Sequence, residues 1–325
     1  MTTFKEISGQ LIRTLSSDPA NPLEGQIWYN STIGVLKGYQ NIGGAWAAGG
    51  TMAGAEGFGV KQHAGAGTQT AALSMGGSPP STQEYDGSTW TTGGTLGTAR
   101  YVLAGCGTQT AGLAFGGYDG SNLTATEEYN GTSWTAGGNL ATARRGLGGL
   151  GLQTAGLAFG GLTTPPTPAG NVTSTEEYNG SAWTGGGNMA TARRVLGGAG
   201  TQTAGLGFGG YTTGESNATE EYNGSAWTAG GNLNTARSSL AGSGTQTAAL
   251  GFGGQNPPST TLANTEKYNG SAWTNDSNLA TARNVLAGAG SQTAGLAFGG
   301  NIPPTTGATE EYNDPSFATQ TLTTS

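Results

Sequence analysis

The sequence predicts an all-β chain folded as a six-bladed β-propeller, and three observations carry that prediction. Gly-Gly dyads recur at Gly76–Gly77, Gly116–Gly117, Gly160–Gly161, Gly209–Gly210, Gly253–Gly254 and Gly299–Gly300. After each dyad comes a tyrosine, at Tyr85, Tyr129, Tyr178, Tyr222, Tyr268 and Tyr312; five residues later stand Trp90, Trp134, Trp183, Trp227, Trp273 and, in the last copy, Phe317. These tryptophans are 44, 49, 44 and 46 residues apart, a period that marks a repeat architecture. No helical periodicity persists over about ten residues. Each period instead holds four short extended runs, the plan of a propeller blade.

The copy ending at Trp227 shows the runs most plainly: about Arg194–Gly200, Ala204–Gly209, Thr219–Asn223 and Ala226–Gly230. A Thr-Gln-Thr turn joins the first two. Asn223–Gly224 predicts a two-residue hairpin between the last two, in a turn that needs positive φ at both central residues. The first run is nearly all Gly, Ala and Leu. Glycine weakens a strand, so its recurrence implies close backbone approach, as expected where innermost strands converge on an axis. Tyrosine and tryptophan on the outer strands supply bulk where the wedge between blades widens.

Taken in order, residues 1–25 are polar and turn-rich, ending in Asp18–Pro19 and Asn21–Pro22, and are expected to form an extended arm. Gln26–Asn30 and Val35–Gln40 are expected to pair as a hairpin. The segment around Trp46 resembles the fourth strand of a blade whose first three strands are missing. Six pairs of inner strands follow, at about 62–77, 101–117, 145–161, 194–210, 238–254 and 284–300. The last copy has its third strand near Glu310–Asn313 and then only Pro315 and Phe317. The strand at Trp46 is therefore expected to complete that last blade, with Phe317 a competitor for the place. Such a clasp would remove exposed sheet edges. Seven blades is the alternative, with Gln26–Ala48 and the tail forming an irregular extra one. The expected division is residues 1–40 as arm and hairpin and residues 41–325 as propeller.

The series Arg … Gly-Gly … Glu-Glu-Tyr-Asn … Trp resembles the kelch repeat over about residues 50–317. The whole chain resembles the Gly/Thr-rich kelch-like propellers of virion proteins from marine tailed bacteriophages. Its opening segments Phe4–Ile7, Ser17–Pro22 and Gly25–Thr32 resemble the leader of such proteins. The resemblance implies a non-enzymatic virion structural protein, a tail fibre or appended adhesin assembled in the host cytoplasm. Residues 1–40 would fix it to other virion proteins, and its target would be a host surface glycan or receptor. Closed symmetry, trimeric for a fibre, is the expected oligomer. A capsid- or tail-decorating protein that stabilises the particle is the alternative, and a bacterial protein-interaction scaffold is a third reading. The kelch-fold copper oxidases need a pair of histidines and a cross-linkable Cys–Tyr pair; this chain has one His and one Cys. Fold alone does not give function.

Composition narrows the field. Of 325 residues, 63 are Gly and 12 are Pro, while only 10% are charged. Stability must come from stacking repeats. A formal net charge of −7 argues against nucleic-acid binding, which needs a basic surface. No run approaches the roughly 18 apolar residues of a membrane span, and Lys5, Glu6 and Arg13 interrupt any signal-peptide core. A soluble cytosolic product is the expectation. The five aspartates form neither a calcium loop nor a paired-carboxylate motif, and no cofactor is expected. Cys106 fills a slot held elsewhere by Ala199, Ser243 or Ala289 and reads as a small buried residue. The first copy departs from the others: Val60 stands where Arg100, Arg144, Arg193, Arg237 and Arg283 recur, and His63 stands where Leu103 or Leu240 does. His63 reads as a packed side chain.

The recurring arginines and the ten glutamates before the blade tyrosines are expected to pair as a structural ring between neighbouring blades, with Trp46, Trp90, Trp134, Trp183, Trp227 and Trp273 as scaffold. Copy-to-copy variation is concentrated in the loops between Gly-Gly and Glu-Glu-Tyr, which hold nine of the 12 prolines. Loops between strands two and three of a blade emerge on the same face as the loops between blades. Variable loops over a repeated scaffold are how recognition surfaces are built. Candidate binding residues are Tyr118, Asp119, Tyr211, Pro165, Pro166, Pro257, Pro258, Pro303 and Pro304. Hydroxyls, amides and an occasional aromatic suit a carbohydrate.

Overall fold

The structure, a computed structural model, describes residues 13–19, 26–40, 43–52, 63–77, 81–163, 170–257, 260–302, 306–314 and 318–321. It is all-β, with no helix among these residues. Val60, Phe317, Pro165, Pro166, Pro258, Pro303 and Pro304 lie outside the described residues. The chain divides into two compact units, Met1–Gly44 with Asp314–Ser325, and Ala45–Asn313. The C-terminal segment Asp314–Ser325 thus groups with the N-terminal one.

The smaller unit holds a four-stranded sheet. Arg13–Leu15 pairs in parallel with Ile27–Asn30, which turns through Gly34 into Val35–Gln40; Ala318–Thr321 adds antiparallel to that strand. The expected hairpin is present, but part of the expected arm is a strand. Asp18, read as a turn residue, holds the unit together. Its carboxylate accepts from Trp28 Nε1 at 3.1 Å, Asn30 Nδ2 at 2.8 Å and Lys37 Nζ at 2.6 Å. Those donors, Lys37 first, hold its pKa down at about 2. Trp28 is fully buried.

The larger unit holds six four-stranded antiparallel sheets of propeller-like form. In the fourth, Gly197–Thr201, Ala204–Phe208, Thr219–Tyr222 and Trp227–Ala229 pair in sequence order. The sixth is Ala287–Gly290, Ala294–Phe298, Thr309–Asn313 and, from the opposite end of the sequence, Ala45–Ala48, with Trp46 opposite Tyr312. This is the register Trp227 has opposite Tyr222. Asn223–Gly224 corrects the sequence reading. Only Gly224 has positive φ, and the turn runs four residues, closed by Asn223 Oδ1 accepting from the backbone of Ser225 and Ala226. The asparagine acts through its side chain, so the two-residue turn is not required.

The first strands show why glycine recurs. A Cβ built on Gly65 would stand 2.5 Å from the Gly288 carbonyl, one on Gly288 2.9 Å from Gly242, and one on Gly242 2.8 Å from Gly198. The backbones of adjacent sheets approach too closely for any side chain. Each first strand lies against the first strand of the next sheet, and that of the sixth, Ala287–Gly290, lies against that of the first, Ala64–Gly67.

Three bonds recur between neighbouring sheets. Each tryptophan indole N–H donates to a threonine hydroxyl of the preceding sheet: Trp134 to Thr82, Trp183 to Thr126, Trp227 to Thr175, Trp273 to Thr219, Trp46 to Thr265 and Trp90 to Thr309, all at 2.8–3.0 Å. The glutamine of each Thr-Gln-Thr or Ser-Gln-Thr turn donates its amide to two backbone carbonyls of the preceding sheet, as Gln202 does to Gly156 and Tyr178 and Gln69 to Gly295 and Tyr312. Five tyrosine hydroxyls donate to the glutamate just before the third-strand tyrosine of the preceding sheet, among them Tyr222 to Glu177 and Tyr85 to Glu311. Burial, and then the carboxylate, raise these five phenols to about 12. The sixth pairing differs: Lys267 occupies the glutamate position, bridges to Asp276 at 2.7 Å and lies over the Tyr312 ring. Phenylalanines fill the wedge, with Phe159 against Trp227 and Phe298 against Trp90 at centroid separations of 5.0 and 4.9 Å.

Candidate functional site

The loops between second and third strands and the segments leading into first strands meet at one end of the sheets. Isolated bridges join them: Tyr101 to Tyr118, Arg145 to Leu162, Arg194 to Tyr211, Ser238 to Gln255 and Asn284 to Asn301. Beneath these bridges lie the recurring arginines, with side chains entirely buried. Their Nη2 atoms stand 2.9–3.1 Å from Glu127, Glu176, Glu220, Glu266 and Glu310. Their other contacts are carbonyls, as Arg193 donates to Gly209 and Ala218, with the Ser174 hydroxyl added for Arg144. Burial pulls each guanidinium below its ordinary pKa, Arg237 to about 10, and the facing glutamate opposes this.

The ring expected to tie neighbouring blades is built differently. Each arginine grips the third strand of its own repeat, reducing the freedom of the variable loop between. The link to the preceding repeat runs through the other carboxylate oxygen, which accepts a backbone N–H from the segment leaving the preceding sheet: Ala141 to Glu176, Ala190 to Glu220 and Asn234 to Glu266. The pairs are scaffold beneath the face, not part of its surface.

Of the expected binding residues, Tyr118 and Tyr211 share a strip that crosses the second to fourth sheets. The ring of Tyr101 meets that of Tyr118 edge-on at 5.6 Å. The Arg145 guanidinium lies 4.3 Å above Tyr118 and that of Arg194 4.5 Å above Tyr211. Asn122 donates to the carbonyls of Leu162 and Thr163, and Asn171 to those of Tyr211 and Thr212, so adjacent loops are stapled. Arg194 also donates to Asn171 Oδ1 at 2.9 Å. Asp119 is exposed and closes its own turn, accepting from Ser121 N. Pro257 is exposed on the fifth sheet's loop. Neither belongs to the strip.

Tyr101, Arg145 and Arg194 escaped the sequence reading because they lie outside the variable loops, directly after the repeated arginines. The doubled Arg144–Arg145 and Arg193–Arg194 were the available signal. On the fifth and sixth sheets the equivalent positions are Ser238, Gln255, Asn284 and Asn301, so the second to fourth sheets carry aromatic and cationic groups there and the fifth and sixth neutral ones.

The centre of the same end is a pocket of about 170 Å³ walled by Leu103, Leu147, Leu196, Leu240, Leu286 and His63. Around it Val102, Gly146, Val195, Ser239 and Val285 form a chain of four backbone hydrogen bonds, the N–H of each residue after Val102 reaching the carbonyl of the one before at 2.7–2.9 Å. All five have positive φ, which for valine and serine costs on the order of 1–3 kcal/mol each. His63 is buried, and neither ring nitrogen has a hydrogen-bond partner of good geometry. Burial holds its pKa down at about 3, opposed by the Phe298 backbone. Cys106 is buried further in, and burial pushes its thiol up to about 12. Among the described residues no three His, Cys, Asp or Glu side chains are grouped to hold a metal ion. No known family model and no curated protein matches the chain.

Proposed function

We propose that the six sheets are the blades of a kelch-like propeller closed on one axis, and that the protein is a non-enzymatic virion structural protein of a tailed phage. In this reading it is a tail fibre or appended adhesin, attached through residues 1–40 and binding a host surface glycan or protein with its variable-loop end. The recurrence of the Trp–Thr and Gln–carbonyl bonds between all neighbouring sheets, the sixth and first included, supports six blades over seven. One observation carries the functional reading. The bonds between sheets repeat with little change, whereas the loop end varies most, from tyrosine and arginine to amides and hydroxyls.

The test is to replace loop residues 118–125 and 211–218, stopping short of the Thr126 and Thr219 that accept indole bonds, with Gly-Ser segments of equal length in the phage. We expect host adsorption to fall at least tenfold while the purified protein's melting temperature moves by less than a few degrees. Unchanged adsorption would defeat the adhesin reading. If those particles also lost thermal stability, the decorating role would replace it.

A further inference from the structure

We propose that the strip from Tyr101 to Tyr211 binds a carboxylate-bearing polysaccharide. The proposal rests on the adhesin reading and narrows its ligand. The protein is acidic, with a formal net charge of −7, and its five recurring arginines are neutralised beneath the surface. Arg145 and Arg194 are different. Among the described residues, no carboxylate lies within ion-pairing distance of either guanidinium. Both are half-buried rather than fully exposed, and both belong to one end of the molecule.

The stacking decides what they can bind. Each guanidinium carbon stands over a tyrosine ring, at 4.3 Å for Arg145 and 4.5 Å for Arg194, and a guanidinium packed there keeps an N–H edge to make hydrogen bonds. A planar carboxylate accepts two parallel N–H bonds from that edge. Little side-chain freedom remains to be lost on binding, because the ring and, for Arg194, the Asn171 amide already hold the group. The two cations are linked through Leu162 and Asn171, which bridge to each other and to the neighbouring loops. Two preset cations on successive repeats suit a polymer that carries its charges at intervals. The hydroxyls and amides around them, Ser121, Thr163 and Thr212 among them, match sugar hydroxyls.

The test uses the full-length protein and three immobilised probes: polygalacturonate, neutral dextran and poly-glutamate. Wild type is expected to retain polygalacturonate, to release it as salt is raised, and to ignore dextran. Arg145→Gln with Arg194→Gln should weaken retention at least tenfold without moving the melting temperature. Arg145→Lys, which keeps charge but loses the planar fork, should fall between. No retention of polygalacturonate, equal retention of poly-glutamate or dextran, or full retention by the double Gln variant would each overturn the proposal. Adsorption of phage carrying the double variant separates this failure from that of the adhesin reading. If loop replacement abolishes adsorption but the arginine changes do not, the adhesin stands and the acidic ligand falls.

Discussion

In the second to sixth sheets a third-strand glutamate grips a buried arginine; in the first sheet the same strand position is Gln83, and the sequence has Val60 where the arginine would stand. Both members of the pair are absent together. The first copy differs again at its core, with Met75 where the later copies have Phe115, Phe159 or Phe208, and His63 where they have leucine. Yet its four strands pair as the others do, and Trp90 and Gln69 still tie it to the preceding sheet. The comparison teaches that the ion pair is one of two self-consistent solutions at this position. What a repeat cannot tolerate is half of one. A buried pair repays its desolvation only when complete, and a neutral replacement of both partners can be nearly as stable.

The sharpest way to break that comparison is Arg237→Val alone. Glu266 is fully buried and would lose its guanidinium, leaving an uncompensated charge. Denaturant unfolding should show a loss of about 3–5 kcal/mol. Adding Glu266→Gln, which copies the first sheet, should recover more than half of it. A double variant no more stable than the single one would show that the pair is indispensable, and that the first sheet survives for another reason.

A smaller effect separates the first sheet by pH. His63 is held neutral in the folded protein, with its pKa at about 3 against 6.5 for the free side chain. The unfolded chain therefore takes up a proton below pH 6.5 while the folded one does not. Stability is intact above pH 6.5 and declines as pH falls toward 3. The slope is about 1.4 kcal/mol per pH unit, or about 2 kcal/mol between pH 6.5 and 5. His63→Leu, which completes the leucine wall, should remove this part of the decline. Parallel curves for the two proteins would show that the imidazole is not buried as described.

How much of this was legible in the sequence depends on the reach of each interaction. The strands, the Gly-rich inner runs and the candidacy of Trp46 followed from local pattern, because one side chain's size or φ decides them. The glutamine of the Thr-Gln-Thr turn was read as a turn residue, although its amide binds two carbonyls of another sheet. A bond whose partner is 24 or 46 residues away leaves no local mark. The left-handed valines were invisible for a stronger reason. Valine disfavours that conformation, and the chain of backbone bonds from one repeat to the next helps hold it there. At the face, the tyrosines stood out by contrast with Thr and Pro, whereas Arg145 and Arg194 were hidden beside arginines of unrelated purpose.

The smallest expected effect compares a bond within the contiguous repeats with the one that joins the two ends of the larger unit. Thr175 and Thr265 occupy equivalent positions and accept indole N–H bonds at 2.9 and 3.0 Å, from Trp227 and Trp46. Trp227 is buried, whereas Trp46 is half-buried and lies on the strand Ala45–Ala48. Thr→Val keeps the volume and removes the acceptor. At Thr175 the orphaned donor stays dry, and the loss should be about 1–2 kcal/mol. At Thr265 water can reach the indole, and the loss should stay below about 1 kcal/mol. Denaturant midpoints of the two variants measure the difference directly. A larger loss at Thr265 would mean that the joint made by Ala45–Ala48 depends more heavily on this bond than the joints between consecutive repeats do. Closure, rather than burial, would then set the bond's worth.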